Sequence, residues 1–270
     1  MTGIEQATPR AARLLAPNPG PMTLDGTNSW VLREPGGDRV VVVDPGPLDP
    51  GHLEALAAAG PVALILLTHG HIDHSEGAPR LHELTGAPVT AFDPAYCLGA
   101  DPLRVSPGSG SSQRASVGEL DWLTVLTPGH TSDSVCFLLE ADRALLTGDT
   151  ILGRGTTVVA HPDGRLGDYL DSLRRLRDLA RDDVSTVLPG HGPVLEDALG
   201  VIEGYLAHRA ERLAQVEAAV VAGDRDAPSV VRRVYADVDP VLWPFAELSV
   251  RAQLDYLAAN GLGEPADPGR

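Results

Sequence analysis

The sequence contains no lysine, so all 21 of its basic residues are arginine. Asp and Glu number 37, which gives the 270-residue chain a formal net charge of −16 and a pI of about 4.8. Non-specific binding to nucleic acid or to anionic membranes depends on neutralising phosphate charge. The acidic balance therefore argues against both kinds of binding, although it leaves room for a local group of arginines.

Cysteine, aromatic residues and long apolar runs are also scarce. Cys97 and Cys136 stand far apart and in no Cys-x-x-Cys pattern, which is typical of free thiols in a reducing compartment. No stretch reaches the ~18 apolar residues of a membrane span. The N-terminus lacks the basic flank and apolar segment of a signal peptide. These absences predict a cytoplasmic protein without a membrane partner.

What is present is enough apolar sequence, 43% of the residues, for a large core. Strand and helix patterns alternate up to about residue 193, and later segments are helical. We expect residues 1–20 to wrap the surface and 106–118 to form a mobile loop. The predicted strands are 26–32, 39–44, 62–68, 88–92, 120–127, 135–139, 144–148 and 185–189. The predicted helices are 52–59, 75–84 (capped by Ser75), 169–179, 198–221, 229–235, 240–247 and 250–260.

The most informative stretch follows the apolar run 62–68 and reads His69-Gly-His71-Ile-Asp73-His74. Three imidazoles and a carboxylate lie within six residues, and both groups bind borderline divalent cations such as zinc. A single His-x-His pair is weak evidence, because histidines also occupy loops and cores for other reasons. Four such groups directly after a buried strand predict a metal site.

Three further polar groups stand at the ends of later apolar strands. They are His130 in Thr-Pro-Gly-His-Thr, Asp149 in Gly-Asp-Thr and His191 in Leu-Pro-Gly-His-Gly. Taken singly, Pro-Gly is ordinary turn sequence and Asp149 suits a turn or a helix cap. Together with the first cluster they supply five histidines and two aspartates, enough to hold two metal ions with one shared carboxylate.

This set of motifs resembles that of the metallo-β-lactamase superfamily, in the family's order and over nearly the whole chain. The resemblance implies an α/β protein, a four-layer αβ/βα sandwich with its metals at the edge between two sheets, and a zinc-dependent hydrolase. The expected catalytic domain covers residues 1–195. A small helical, winged-helix-like domain is expected at 196–270.

The resemblance also implies a role for each ligand. Two Zn²⁺ ions, or two other divalent metal ions, would hold a bridging hydroxide as the nucleophile, and Asp73 would serve as a catalytic residue that orients it. One zinc would be held by His69, His71 and His130, the other by Asp73, His74 and His191, and Asp149 would bridge them.

Flanking sequences resemble a narrower group, the β-lactamase-like protein 2 group, which is associated with metal-dependent cleavage of single-stranded RNA. The resemblance lies in Gly26-Thr-Asn-Ser-Trp30, residues 148–159 and 168–173, and the helical tail with His208 and Arg209. It makes a phosphodiester such as single-stranded RNA the leading substrate hypothesis, with a small-molecule substrate as the other possibility. An acidic chain would then need a local arginine groove, for which the candidates are Arg154, Arg209, Arg212, Arg232 and Arg233.

Several residues near the motifs are weaker candidates. Residues 153–157 could offer N–H and hydroxyl groups to an oxyanion, although they equally fit a simple loop. The His208–Arg209 pair could approach an anionic substrate, although such a pair on a long helix is more often solvated. Asp44 could orient a ligand histidine, and equally fits a turn before Pro45-Gly46. The predicted substrate contacts are Asn28, Thr156, Thr157 and His208.

Other functions stay open on the sequence. A glyoxalase II-like thioester or ester hydrolase shares the ligand set and a C-terminal helical domain, and a basic anion-binding cluster in the tail would favour it. The complete ligand set disfavours a non-catalytic binding module. His71, in place of a Glu, disfavours a di-iron redox protein, and the short spacing from Asp149 to His191 disfavours nucleases with a β-CASP insert. A homodimer is compatible with the chain.

Overall fold

The computed structural model describes residues 3–105 and 112–261, in which eleven strands form two sheets. In the first sheet the strands lie side by side in chain order. They pair antiparallel up to the fourth strand and parallel from the fourth to the sixth. The strands are β1 (Glu5–Gln6), β2 (Ala11–Leu15), β3 (Asn28–Leu32), β4 (Val40–Val43), β5 (Val62–Leu66) and β6 (Val89–Thr90).

In the second sheet the strands also lie side by side in chain order, and only its last two strands pair in parallel. The strands are β7 (Ser112–Val117), β8 (Leu120–Leu126), β9 (Val135–Leu139), β10 (Ala144–Gly148) and β11 (Thr186–Pro189). The helices are α1 (Pro50–Ala57), α2 (Ile72–Ser75), α3 (Ala78–Thr85), α4 (Leu166–Ala180), α5 (Ala198–Val221), α6 (Ala227–Val234) and α7 (Trp243–Ala259).

The two sheets face each other across a common core. Trp30 and Leu66 of the first sheet meet Phe137 and Leu146 of the second in one apolar cluster. All of β4, Val40–Val43, is fully buried. An uninterrupted apolar strand is expected wherever a strand is covered on both faces, by helices on one side and by the opposite sheet on the other.

Helices cover the outer faces of both sheets. Leu53 of α1 and Leu81 of α3 pack on the first sheet. Leu173 of α4 and Ile202 of α5 pack on the second. The α/β class and the helix–sheet–sheet–helix layering are therefore confirmed.

All regular elements after residue 195 in the described part of the chain are helices, with no β-wing in 196–261. Val216 of α5, Val230 of α6 and Val250 of α7 form a separate small core. The two helices expected at 240–247 and 250–260 are a single helix, α7, which follows a short 3₁₀ turn. The predicted domain boundary at 195 falls between β11 and α5 and stays a prediction.

Three further expectations from local sequence are wrong. Residues 1–20 do not only wrap the surface, because β2 pairs with β3 and buries Ala11 and Leu14. Part of the loop expected at 106–118 is strand β7, and residues 106–111 lie outside the described residues. Ser75 caps no helix: it ends α2, its hydroxyl donates to the carbonyl of Gly70 (3.1 Å), and α3 begins at Ala78.

The described helices include none with the length and apolarity needed to cross a membrane.

Candidate metal centre

The seven predicted ligands meet at one edge of the sandwich, where loops leave four strands. The cluster at 69–74 follows β5, and the other three residues follow β8, β10 and β11. The side-chain donors form two groups, and within each group they lie within 4.8 Å of one another. The first group is His69, His71, His130 and Asp149, and the second is Asp73, His74 and His191.

In the first group, three imidazole nitrogens converge. Nδ1 of His71 lies 3.1 Å from Nε2 of His69 and 3.0 Å from Nε2 of His130. Nitrogen lone pairs that face one another at this separation repel unless a proton or a cation stands between them. The arrangement fits a cation held by Nδ1 of His71 and by Nε2 of the other two histidines.

In the second group, Nε2 of His74 and Nε2 of His191 lie 3.1 Å apart, and Oδ2 of Asp73 lies 3.1 Å from Nε2 of His191. Asp149 stands between the groups. Its Oδ1 lies 3.4 Å from Nε2 of both His74 and His191, and its Oδ2 lies 3.8 Å from Nε2 of His130. Oδ1 is buried without a well-formed hydrogen bond. One carboxylate oxygen thus faces each group, as a bridging ligand requires.

Backbone carbonyls orient two of the histidines. Nδ1 of His130 lies 2.7 Å from the carbonyl oxygen of Val158, and Nδ1 of His191 lies 3.1 Å from that of Gly26. A carbonyl oxygen only accepts, so each Nδ1 carries the proton. Each Nε2 therefore keeps its lone pair for a metal.

Asp44 orients one histidine from each group. Its Oδ2 accepts from Nδ1 of His74 at 2.8 Å and from the hydroxyl of Thr68 at 2.7 Å. The Thr68 hydroxyl has thereby used its proton, so it accepts from Nδ1 of His69 at 3.0 Å. Asp44 itself is held by the backbone N–H of Thr68. The sequence singled out Asp44 but not Thr68, because a threonine at a strand end carries no distinctive signal.

The electrostatics differ between the groups. Burial lowers the pKa of His69 well below 6.5 and the pKa of His130 to about 4. Burial also opposes protonation of His74 and His191, but the Asp149 carboxylate outweighs it, raising the pKa of His74 well above 6.5 and that of His191 to about 9. Burial would raise the pKa of Asp149, yet the two histidines hold it well below its usual range. When no cation is bound, an extra proton on the inward nitrogen of His74 and of His191 thus balances the carboxylates, and a bound cation would replace these protons.

Gly190 lies directly against this centre. A Cβ atom there would stand 2.7 Å from both Oδ1 of Asp149 and Cε1 of His74. Cβ atoms almost never approach other atoms this closely, so any larger residue at this position would displace Asp149 or His74.

A cleft of about 340 Å³ opens beside His130 and Asp149. Apolar residues from three parts of the chain line much of it: Met22, Leu24, Leu152, Val158, Val238, Leu242 and Phe245. Arg154, Arg209 and Arg212 also line it, and Asp149 is its one carboxylate among the described residues. The lining is therefore mainly apolar, with positive charge at a few points.

Of the four predicted substrate contacts, three line the cleft and one does not. Thr156 is exposed and lines the cleft, as does the half-buried His208. Thr157 also lines it but is buried, with its hydroxyl 3.3 Å from Nδ1 of His130. Asn28 is fully buried, and its amide nitrogen donates to the carbonyls of Pro189 and Gly192. Asn28 therefore supports the turn that contains His191 from within.

The arginine groove is formed only in part. Arg154, Arg209 and Arg212 reach the cleft, but Arg232 does not line it, and Arg233 pairs with Asp224 on the surface. The His208–Arg209 pair is not on a solvated face either, because Arg209 is only 5% exposed.

Comparison with known proteins gives the class. Residues 22–191 match the metallo-beta-lactamase superfamily, and residues 227–262 match the beta-lactamase-associated winged helix domain. The chain therefore belongs to the metallo-beta-lactamase superfamily. Its class is that of a metal-dependent hydrolase. The predicted superfamily and the predicted enzyme class are therefore confirmed.

Individual members of the superfamily are similar to this chain over most of its length. A beta-lactamase-like protein 2 homolog of Caenorhabditis elegans is 30% identical over 97% of this chain and 88% of its own. An atrochrysone carboxyl ACP thioesterase of Aspergillus fumigatus is 34% identical over 79% of this chain and 65% of its own, so the chain spans about two thirds of that relative. A metallo-beta-lactamase family protein from Thermus thermophilus has the same fold (TM-score 0.76, 23% identity, 94% of each chain).

Proposed function

We propose that this chain is a dinuclear zinc hydrolase, and that its substrate is a thioester or ester with an apolar acyl part. The ligands would be the seven residues His69, His71, Asp73, His74, His130, Asp149 and His191. Imidazole and carboxylate donors fit Zn²⁺, although iron accepts the same donors. Two such ions, when bound, lower the pKa of a shared water from ~15.7 towards ~7 and so supply hydroxide at neutral pH.

The chain's own groups have separate tasks in this proposal. Asp73 keeps part of its side chain exposed, and its pKa is lowered, because the neighbouring histidines outweigh the effect of burial. An ionised, accessible carboxylate accepts a hydrogen bond from the attacking water and orients it. Val158, Gly26 and Asp44 keep the ligand histidines in the tautomer that leaves their inward nitrogens free.

The apolar cleft is the observation that carries the substrate assignment. The cleft is lined by Met22, Leu24, Leu152, Leu242 and Phe245. Binding of an apolar acyl chain there is favoured by ~25 cal/mol for each Å² of apolar surface removed from water. A carbonyl held by such an acyl group would lie beside His130 and Asp149. The Aspergillus fumigatus relative, which is named as a thioesterase, supports this chemistry.

Single-stranded RNA is the second candidate, and one feature of the cleft favours it. Arg154 and Arg212 line the cleft together with Tyr235 and Phe245. Guanidinium groups bind phosphate, and aromatic side chains stack on unpaired bases. The positive potential of these arginines extends only a short distance, however, because the chain as a whole is strongly acidic.

A substrate panel separates the two. We expect the zinc-loaded protein to hydrolyse a decanoyl thioester with a kcat/KM at least tenfold above that for an acetyl thioester, and to leave a single-stranded RNA oligonucleotide and a β-lactam intact. Thr156→Trp should fill the cleft and raise KM for the decanoyl substrate. Val241→Trp, at an exposed position nearby that does not line the cleft, is the matched control. Rapid RNA cleavage without thioester turnover would replace the first proposal by the second.

A further inference from the structure

One face of helix α5 carries four polar residues. Tyr205, His208, Arg209 and Arg212 follow one another at intervals of three, one and three residues, which places them on one side of the helix. Tyr205 holds the loop that follows Asp149: its hydroxyl accepts from the N–H of Leu152 at 2.9 Å and donates to the carbonyl of Gly155 at 3.1 Å. Helix α5 therefore contacts the loop that follows the proposed metal ligand Asp149.

Arg209 is unusual on this face because it is buried without a counter-charge. Within the described residues, no carboxylate forms an ion pair with it, and its Nε has no hydrogen-bond partner. Burying an unpaired guanidinium costs several kcal/mol in general, and an apolar side chain would fill the space at a lower cost. Packing alone therefore does not explain why an arginine is buried at this position.

The first contact of Arg209 leads to His130. Nη2 of Arg209 donates to the carbonyl oxygen of Thr157. The carbonyl of the next residue, Val158, accepts from Nδ1 of His130 at 2.7 Å, and the Thr157 hydroxyl lies 3.3 Å from the same nitrogen. The guanidinium thus holds the short segment that sets the ring orientation of His130.

The second contact leads to Asp149. The guanidinium of Arg209 lies over the ring of Tyr169, 5.1 Å from its centroid. The Tyr169 hydroxyl donates to the carbonyl of Thr150, the residue after Asp149, at 2.7 Å. Tyr169 also packs tightly on the turn before His130, since a Cβ atom at Gly129 would stand 2.2 Å from its Cα.

We infer that Arg209 is a positioning residue, through which the C-terminal helices hold His130 and Asp149 in place to bind metal. The inference rests on the proposed metal centre and is independent of the proposed substrate. The helical segment would then be a working part of the metal centre and not a separate appendage.

The test measures metal binding, with no substrate present. Zn²⁺ affinity is determined by competition with a chelating dye, and the visible spectrum of the Co²⁺-substituted protein reports coordination geometry. We expect Arg209→Gln to weaken one of the two metal sites about tenfold, the lower end of the 10–100-fold typical of groups that support ligands, and to change the Co²⁺ spectrum. Arg209→Lys, which keeps the charge and one donor nitrogen, should lose less. Arg233→Gln, an exposed arginine on α6, is the matched control and should match the wild type.

Circular dichroism separates positioning from general folding. Wild-type helicity in both Arg209 variants, together with the weaker metal site, supports the inference. Affinities within twofold of wild type in both variants would overturn it, and so would loss of helicity in both. If the wild-type protein itself binds no metal, the proposed function fails instead, which is a different result.

Discussion

Oδ2 of Asp44 lies 2.8 Å from Nδ1 of His74, and the same carboxylate reaches His69 through the hydroxyl of Thr68. One buried carboxylate thereby orients a histidine in each of the two donor groups. The backbone of Asp44 has a positive φ of 52°, which Asp and Asn tolerate better than most residues. Asp44 directly follows β4, which pairs with β5, so its carboxylate lies beside Thr68 and His74. These two contacts account for the strained backbone at Asp44.

Asp44→Asn tests this relationship while keeping the side-chain shape. An amide accepts with one oxygen only and carries no charge, so the tautomer of His74 is held less firmly. We expect metal affinity to fall 10–100-fold, as measured by metal competition. Asp49→Asn, which alters only the N-cap of α1, should bind metal like the wild type. Equal losses in the two variants would contradict the role of Asp44.

Gly190→Ala tests the space beside the second donor group. The added methyl group would collide with Asp149 Oδ1 and His74 Cε1, both 2.7 Å away, so we expect loss of one bound metal per chain. Metal analysis after gel filtration measures it. Gly204→Ala, in open space on α5, is the control and should keep both metals while gaining up to about 1 kcal/mol of stability.

Asp149→Ala removes the carboxylate that faces both groups. We expect kcat for any hydrolysed substrate to fall by about a thousandfold or more, equivalent to ~4 kcal/mol of lost transition-state stabilisation. Steady-state kinetics on the substrate panel measures the fall. Asp168→Ala removes an exposed carboxylate on α4 and should leave kcat unchanged. A kcat within tenfold of wild type in Asp149→Ala would exclude the bridging role.

Metal removal should destabilise the fold. The buried histidines and carboxylates at the centre repel or must be protonated when no cation is bound, whereas a metal that binds only the folded state stabilises it. At free metal a thousand times its Kd, the gain is ~4 kcal/mol. Thermal unfolding in EDTA should therefore have a clearly lower Tm, restored by added Zn²⁺. An EDTA-insensitive Tm would argue against tight metal binding.

His52 should make stability depend on pH, away from the metal centre. Burial lowers its pKa to about 4, against 6.5 when unfolded, so its contribution is complete above pH 6.5 and is lost as the pH falls towards 4. At 1.36 kcal/mol per unit, the loss is roughly 3 kcal/mol. Urea unfolding of His52→Gln and wild type should show a gap that narrows on acidification. A gap that stays constant from pH 7 to pH 4.5 would exclude this linkage.

Local pattern was sufficient for the strands because burial on two faces leaves an uninterrupted apolar run, as at Val40–Val43. It failed for β2, whose sequence Ala-Ala-Arg-Leu-Leu has no strand preference of its own and becomes a strand only by pairing with β3. It also failed at α7, a single helix that the sequence pattern divided into two shorter ones at 240–247 and 250–260.

The sequence by itself determined the candidate ligands, because each is a polar residue placed directly after an apolar strand, and strand ends in such a sandwich meet at one edge. Tertiary structure alone decided which nitrogen of each histidine faces inward, that Arg209 is buried behind His130, and which residues line the cleft. These features join residues far apart in the chain, such as Arg209 and Thr157, Met22 and Phe245. Contacts of this kind depend on how the layers of the fold pack together, and layer packing produces no periodic pattern in the sequence.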